Sequence, residues 1–376
     1  MVKLGDVVRV EASRKQIPGD AFWLLNLDMV EQQTGKVIDY FYVGQDGLNG
    51  SIVQFDTDCV LYSKLRPNLN KVVVPTQDGF ATSEMLPLRP CTNLLTREYL
   101  AAFLRSDSFV TWAVSKTAGA KMPRLGTKEL LSKEIPLPGL AEQKKIAQQF
   151  AKVDELITFR KEQLAKLDEL VKARFVEMFG CIIRSAVNVY LEELSDFVTV
   201  GIANSATHAY ADNGIVMLRN QNIKENYLDD NDLVFITPEF AQKYGSKQLA
   251  ENDILVIRTG YPGIACLVPP KYEGCQTFTT LIVRLKDSTW AHANYVCHYI
   301  NSSFGKDYVN QSKVGVAQQN FGAKALAKMP IVVPAMELQE QFASFVEQTN
   351  KTKLTIQASF DKLEVMKKAL MQEYFG

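Results

Sequence analysis

What this chain lacks narrows its function before any motif is read. It contains no run of 18 apolar residues, so a membrane-spanning helix is not expected. Its start, Met-Val-Lys-Leu-Gly-Asp, has no signal-peptide pattern, so a cytoplasmic location is expected. The three histidines, His208, His292 and His298, do not stand at the HxxxH or HExxH spacing that places two ligands on one helical face. The six cysteines form no CxxC pair and read as buried, reduced thiols, so neither a zinc nor an iron centre is expected. There is no net charge either, with 42 Lys and Arg against 42 Asp and Glu, which argues against a non-specific nucleic-acid coat. No GxxxxGKS or GxxxxGKT phosphate loop and no Asn-Pro-Pro-Tyr-like methyltransferase motif occurs, so the chain is not expected to be an enzyme or to hold a cofactor. Pro269-Pro270, the only Pro-Pro, lacks both the preceding polar and the following aromatic residue of such a motif.

What is present is a chain written twice. Phe-Val-Glu-Met-Phe-Gly at 175–180 returns as Leu-Met-Gln-Glu-Tyr-Phe-Gly at 370–376, a displacement of 196 from Gly180 to Gly376. At that displacement Gly119, Leu125, Gly126, Lys128, Leu130, Pro138 and Gln143 face Gly315, Phe321, Gly322, Lys324, Leu326, Pro334 and Gln339. Nearer the start Leu4-Gly5-Asp6-Val7-Val8 matches Leu194-Ser195-Asp196-Phe197-Val198, so insertions sit in the front halves. Those front halves have diverged more than the helical halves, the pattern of two different reading heads on one frame.

Behind each globule lies a heptad series. Gln143, Ile146, Phe150, Val153, Ile157, Arg160, Leu164, Leu167, Val171, Arg174 and Met178 alternate in steps of three and four, and the same positions recur from Gln339 to Tyr374. A long helix cannot bury such a stripe on a small globule alone. An antiparallel pairing of the two is therefore expected, with a coiled-coil homodimer through one helix as the alternative. The seam cations Arg160, Arg174, Lys353 and Lys367 are candidates for setting register, touching a partner or merely snorkelling at the helix edge. The expected fold class is α+β: two mixed globules and two long helices in an antiparallel coiled coil with a pseudo-twofold repeat. The expected domains are 1–137, 138–180, 181–333 and 334–376, each within one charge of neutral.

Two elements in each globule carry candidate recognition chemistry. Residues 59–74 read as strand, polar turn, strand, with Lys64, Arg66, Asn68 and Lys71 on the turn. Their counterpart at 254–268 offers Arg258, Thr259 and Tyr261, with Gly260 and Gly263 permitting close backbone approach. The second element is Lys121-Met122-Pro123-Arg124-Leu125-Gly126 against Ala317-Gln318-Gln319-Asn320-Phe321-Gly322. Gln and Asn pair bidentately with adenine whereas Arg prefers guanine or phosphate, so Lys121 and Arg124 in one copy and Gln318, Gln319 and Asn320 in the other suit heads that read different bases. Arg219 and Asn220 add donors to the second globule. As isolated turns these segments are also compatible with plain solvated surface.

Together these segments resemble the specificity subunit of Type I restriction-modification systems over essentially the full chain. The resemblance rests on Leu-Gly-Asp-Val near the start, Tyr-Ser-Lys-Leu-Arg-Pro-Asn-Leu-Asn-Lys at 62–71, Leu-Arg-Asn-Gln-Asn-Ile at 218–223 and Pro-Leu-Pro-Gly-Leu-Ala-Glu-Gln-Lys-Lys-Ile at 136–146. In the second copy the last signature is degraded to Val-Pro-Ala-Met-Glu-Leu-Gln-Glu-Gln-Phe. The resemblance implies a non-catalytic subunit that binds a split double-stranded DNA sequence and recruits two adenine-methyltransferase subunits. In a complete restriction enzyme two translocating endonuclease subunits join them. The alternative reading is a tandem coiled-coil scaffold without a DNA role.

Overall fold

Strand Val60–Ser63 shows how each globule is built, because its alternating side chains serve two cores at once. Val60 and Tyr62 pack with Val72, Leu88 and the helix Arg97–Leu104, whereas Leu61 packs with Trp23, Leu25 and Phe55. The second copy repeats this: Ile254 and Val256 enter one core, Leu255 and Ile257 another. A strand buried on both faces holds two layers together, so the globule is a stack and not a single open sheet.

The computed structural model describes residues 1–119, 121–185, 189–203, 207–287, 290–313 and 320–376. They form two compact units, Met1–Gln163 with Ile356–Gly376, and Leu164–Thr355. In the first unit an antiparallel sheet runs in the order Val8–Val10, Met85–Pro90, Val60–Ser63, Val72–Val73. A mixed sheet runs Tyr42–Val43, Phe22–Leu25, Gly79–Thr82, Ile52–Phe55, with Leu24 and Phe80 paired in parallel. The second unit repeats the antiparallel sheet as Ser195–Val200, Leu281–Leu285, Ile254–Val256, Ala265–Leu267. Its mixed sheet runs Tyr210–Ala211, Val234–Ile236, Ile215–Leu218, Gln276–Thr277, again with a parallel pair, Met217 with Gln276.

The long helices span Leu140–Ser185 and Met336–Phe375. In each unit they lie antiparallel, as expected. In the first unit Phe150 stacks on Phe375 at 5.8 Å, Asp154 pairs with Lys367 at 2.7 Å and Lys161 sits over Phe360. In the second Asp168 pairs with Lys353, Arg174 lies over Phe345 and Phe175 meets Phe342 at 5.4 Å. Lys353 and Lys367 thus each meet an acid on the facing helix, whereas Arg160 and Arg174 bond within their own helix to Gln163 and Glu177. Exposed pairs of this kind contribute at most about 1 kcal/mol each, so their effect is on register more than stability.

Three details depart from the heptad reading. Gln143 and Gln339, expected as the first seam positions, are turned into their own globules. The Gln143 side chain accepts from Thr96 N–H at 2.9 Å and donates to the carbonyls of Leu94 and Pro138, both at 2.8 Å. Gln339 repeats the clamp on His292 N–H, Trp290 and Pro334. Beside it Tyr99 donates to the Pro136 carbonyl and Tyr295 to that of Val332, positions related by the same displacement of 196. The second departure is that Phe175, Phe179, Met371 and Phe375 stand outside the heptad series and are buried, because each helix end also packs on a globule. The third is that the first helix continues past Gly180 to Ser185, where Ile183 joins the core. That burial offsets the cost of a glycine inside a helix, about 1 kcal/mol.

Candidate nucleic-acid interface

In each unit the two segments singled out in the sequence meet. In the first, Leu65 bridges Arg124, Arg66 N–H donates to the Pro123 carbonyl at 2.8 Å and Leu125 N–H to that of Lys64 at 2.9 Å. In the second, Thr259 bridges Asn320 and Phe321 N–H donates to the Arg258 carbonyl at 2.9 Å. Leu125 and Phe321 are buried, and their burial pins the second segment against the hairpin. The hydrogen bonds engage the backbone, so the neighbouring side chains stay free to differ between the copies.

On the first tip the cations divide by what already holds them. Arg124 is clasped by Glu84 through its Nε and Nη2 at 3.0–3.1 Å, and that hydrogen bond holds the Glu84 carboxyl below its ordinary range. Lys71 donates inward to the Leu27 carbonyl, and burial lowers its pKa. Arg66 and Lys121 are exposed and Lys64 half-buried. Asn68 is exposed, its carbonyl accepting from Gln33. Arg66 adopts a left-handed conformation, φ 49°, which costs a non-glycine residue about 1–2 kcal/mol. The Pro67–Leu69 turn that follows is buried at Pro67 and holds Arg66 in this position.

The second tip is a polar network. Arg258 Nε donates to Asn320 Oδ1 at 3.0 Å, and Asn220 Nδ2 donates to the carbonyl and hydroxyl of Thr259 at 3.3 Å. Thr280 in turn donates to Asn220 Oδ1. Asn220, Arg258, Thr259 and Asn320 are thereby brought together, while Arg219 is turned aside to the Asp232 carbonyl. Tyr261 stands 79% exposed at the tip, between Gly260 and Gly263, which have φ 86° and 94°. At Gly263 a Cβ would lie 2.8 Å from Val309, so the turn requires glycine there. Gln318 and Gln319 lie outside the described residues.

Glu84, Thr280 and Asp232 were not among the sequence candidates, yet they determine which donors are committed. Their partners lie far along the chain, 40 residues for Glu84 with Arg124 and 60 for Thr280 with Asn220, and no local pattern marks them. The first site offers guanidinium, ammonium and amide donors and the second guanidinium, amide and hydroxyl donors, each around a pinned backbone, which suits recognition of phosphates and base edges. Among the described residues no group of His, Cys, Asp and Glu could hold a metal ion, and no helix is long and apolar enough to cross a membrane.

Comparison with known proteins agrees with this geometry. The Type I restriction modification DNA specificity domain model matches residues 53–169 and again 188–364. The specificity subunit of the Type I restriction enzyme EcoDI of Escherichia coli is 27% identical over 154 residues, which is 40% of this chain and 34% of that protein. This chain therefore spans about a third of that relative. Among solved structures, the Type-I restriction-modification system S subunit from M. genitalium superposes over 100% of this chain and 95% of its own, with a TM-score of 0.61 and 12% identity. A structure solved in work on complex assembly and conformational transition of the type I R-M system covers 100% and 96%, with a TM-score of 0.58 and 16% identity. At such identities these two speak for the fold alone, whereas the family model matches well over half of the chain. The chain belongs to the Type I restriction modification DNA specificity domain family and carries two copies of the domain.

Proposed function

We propose that this chain reads a bipartite double-stranded DNA target, one half-site per globule, and directs two adenine-methyltransferase subunits to it. In a complete restriction system two translocating endonuclease subunits join the same complex. In this reading residues 1–137 and 181–333 are the recognition domains, and 138–180 and 334–376 are the spacer helices. The observation that carries it is the repeated bridge, Leu65 with Arg124 and Thr259 with Asn320, which holds one backbone geometry while presenting different side chains. A scaffold would have no need to conserve the frame and vary its tip. The contacting residues are drawn from Lys64, Arg66, Asn68, Lys121 and Arg124 in the first globule, and from Asn220, Arg258, Thr259, Tyr261, Gln318, Gln319 and Asn320 in the second. Lys71 and Arg219 contribute by bracing their tips.

The test begins with the motif methylated in the source genome, which should be split with a fixed gap. Binding to duplexes altered in one half-site is then measured at one salt concentration, with the methyltransferase co-expressed. Asn320→Ala should weaken binding only through one half, by about 1–3 kcal/mol if it reads an adenine. Arg66→Ala should act only through the other, with a flatter loss across sequences if it contacts phosphate. Equal losses on every duplex from both changes would refute the two-head reading.

A further inference from the structure

The first unit leaves a sheet edge open that the second unit covers. Strand Tyr42–Val43 is the outermost strand of its mixed sheet, and its counterpart Val234–Ile236 is flanked on the outer side by Tyr210–Ala211. The register Phe22 with Val43 and Trp23 with Tyr42, together with Leu24 N–H donating to the Phe41 carbonyl at 2.9 Å, directs the Tyr42 N–H and carbonyl outward. Along this edge Ile38 is 60% exposed and Tyr40, Phe41 and Tyr42 are 49–50% exposed. Tyr40 leans on Trp23 at 5.2 Å and Gln77 donates to the Tyr42 hydroxyl, so the strip is held in place. Natural edges are blunted by short strands, charged residues, proline or a covering segment; this one is short and flanked by aspartates, and among the described residues no strand pairs with its outer side.

The charge around the strip indicates its occupant. Asp20, Asp39 and Asp46 are exposed beside it, with the Asp20 carbonyl facing Gly44 and Asp39 Oδ1 accepting from Tyr40 N–H. No Lys or Arg occurs between Lys36 and Lys64. Phosphate would be repelled here, and two copies of the edge would repel each other. We propose that the Tyr42–Val43 edge is a docking site for an extended segment of a partner protein that alternates cationic and apolar residues and adds to the sheet as a further strand. Main-chain hydrogen bonds to Tyr42 supply affinity, the aromatic strip receives the apolar side chains and the aspartates receive the cationic ones. The site is separate from the two tips proposed to read DNA.

The probe is a fluorescent peptide, Lys-Val-Lys-Tyr-Lys-Val-Lys-Val-Lys, titrated against the full chain beside a counterpart with Glu in place of Lys. The Lys peptide should bind at least about tenfold more tightly than the Glu peptide and slow amide exchange over residues 38–44. Tyr42→Pro removes the outward donor while sparing the pairing with Phe22–Leu25, and should weaken the peptide about tenfold. The double variant Asp39→Lys, Asp46→Lys should do the same without touching the backbone, which covers the case in which the proline variant misfolds. Both variants should keep wild-type affinity for the cognate duplex. Equal binding of the two peptides, or wild-type peptide binding by both variants, overturns the proposal. A loss of duplex affinity in Tyr42→Pro would reassign the edge to DNA. Self-association abolished by that variant would reassign it to a second copy of the chain. Failure of the wild-type chain to bind any duplex would count against the DNA reading alone and leave the peptide result standing.

Discussion

Where the long helices dock on the globules, the two units solve the same packing problem with different density. In the second unit Phe175, Phe179, His298 and Phe342 form one aromatic cluster, with ring separations of 5.0–6.4 Å. The positions displaced by 196 in the first unit are Met371, Phe375, Ala102 and Ile146. There Phe375 still packs, on Phe150, Tyr99 and Phe103. Met371 and Ala102 instead line a cavity of about 380 Å³ with Ala101, Arg105 and Asp154. Duplication therefore preserved the frame and the glutamine clamps while the fill between them drifted. Backbone-directed hydrogen bonds tolerate little substitution, whereas apolar fill tolerates much so long as volume roughly holds.

Truncation should separate the units most. Phe179→Ala removes a fully buried ring from a dense cluster and should cost about 4 kcal/mol by denaturant unfolding, whereas Met371→Ala beside the existing cavity should cost about 2. Equal losses would mean that the cavity closes in solution.

Acid should then distinguish the units through His298. Burial, and secondarily the charge of Lys353, press this imidazole down to about 4; Lys172 acts in the same direction and Glu225 opposes them. Its folded pKa lies below the unfolded value of about 6.5, so the unfolded chain binds the proton more readily between these values. Stability of the second unit is therefore full above about pH 6.5 and falls as pH drops toward 4, by up to about 3 kcal/mol. The first unit has Ala102 here and should not share the loss. Amide exchange over 293–301 and 97–104, followed from pH 7 to 4.5, measures the difference, and parallel losses in both helices would remove His298 as the cause.

The clamps should instead behave alike. Gln143→Leu and Gln339→Leu keep side-chain volume but strand a buried N–H and two carbonyls, so each should lose about 2 kcal/mol. A difference of more than about 1 kcal/mol between them would show that one clamp is dispensable.

The smallest effect is a gain. Ala102→Leu should fill part of the first unit's cavity and raise stability by about 1 kcal/mol, with thermal unfolding as the measurement. A loss would show that Arg105, which donates to the Val72 carbonyl through Nη2, has no room to give.

Local pattern was enough for the repeat, the two helices and most of their seam, since a 3,4 alternation is a property of neighbours along the chain, while antiparallel pairing was expected also from the need to set two globules apart. It also singled out the two segments that meet at each tip. It did not show that residues 62–66 and 123–125 are one site, nor that Glu84 occupies Arg124, Leu27 draws in Lys71 and Asp232 turns Arg219 aside. These are meetings of residues 13 or more positions apart, decided by how the sheets and helices pack on one another. The same holds for Gln143, a seam residue by period and a clamp in the fold. Periodicity records which face of a helix is apolar, but only folding decides which surface that face meets and which polar groups are already satisfied before a ligand arrives.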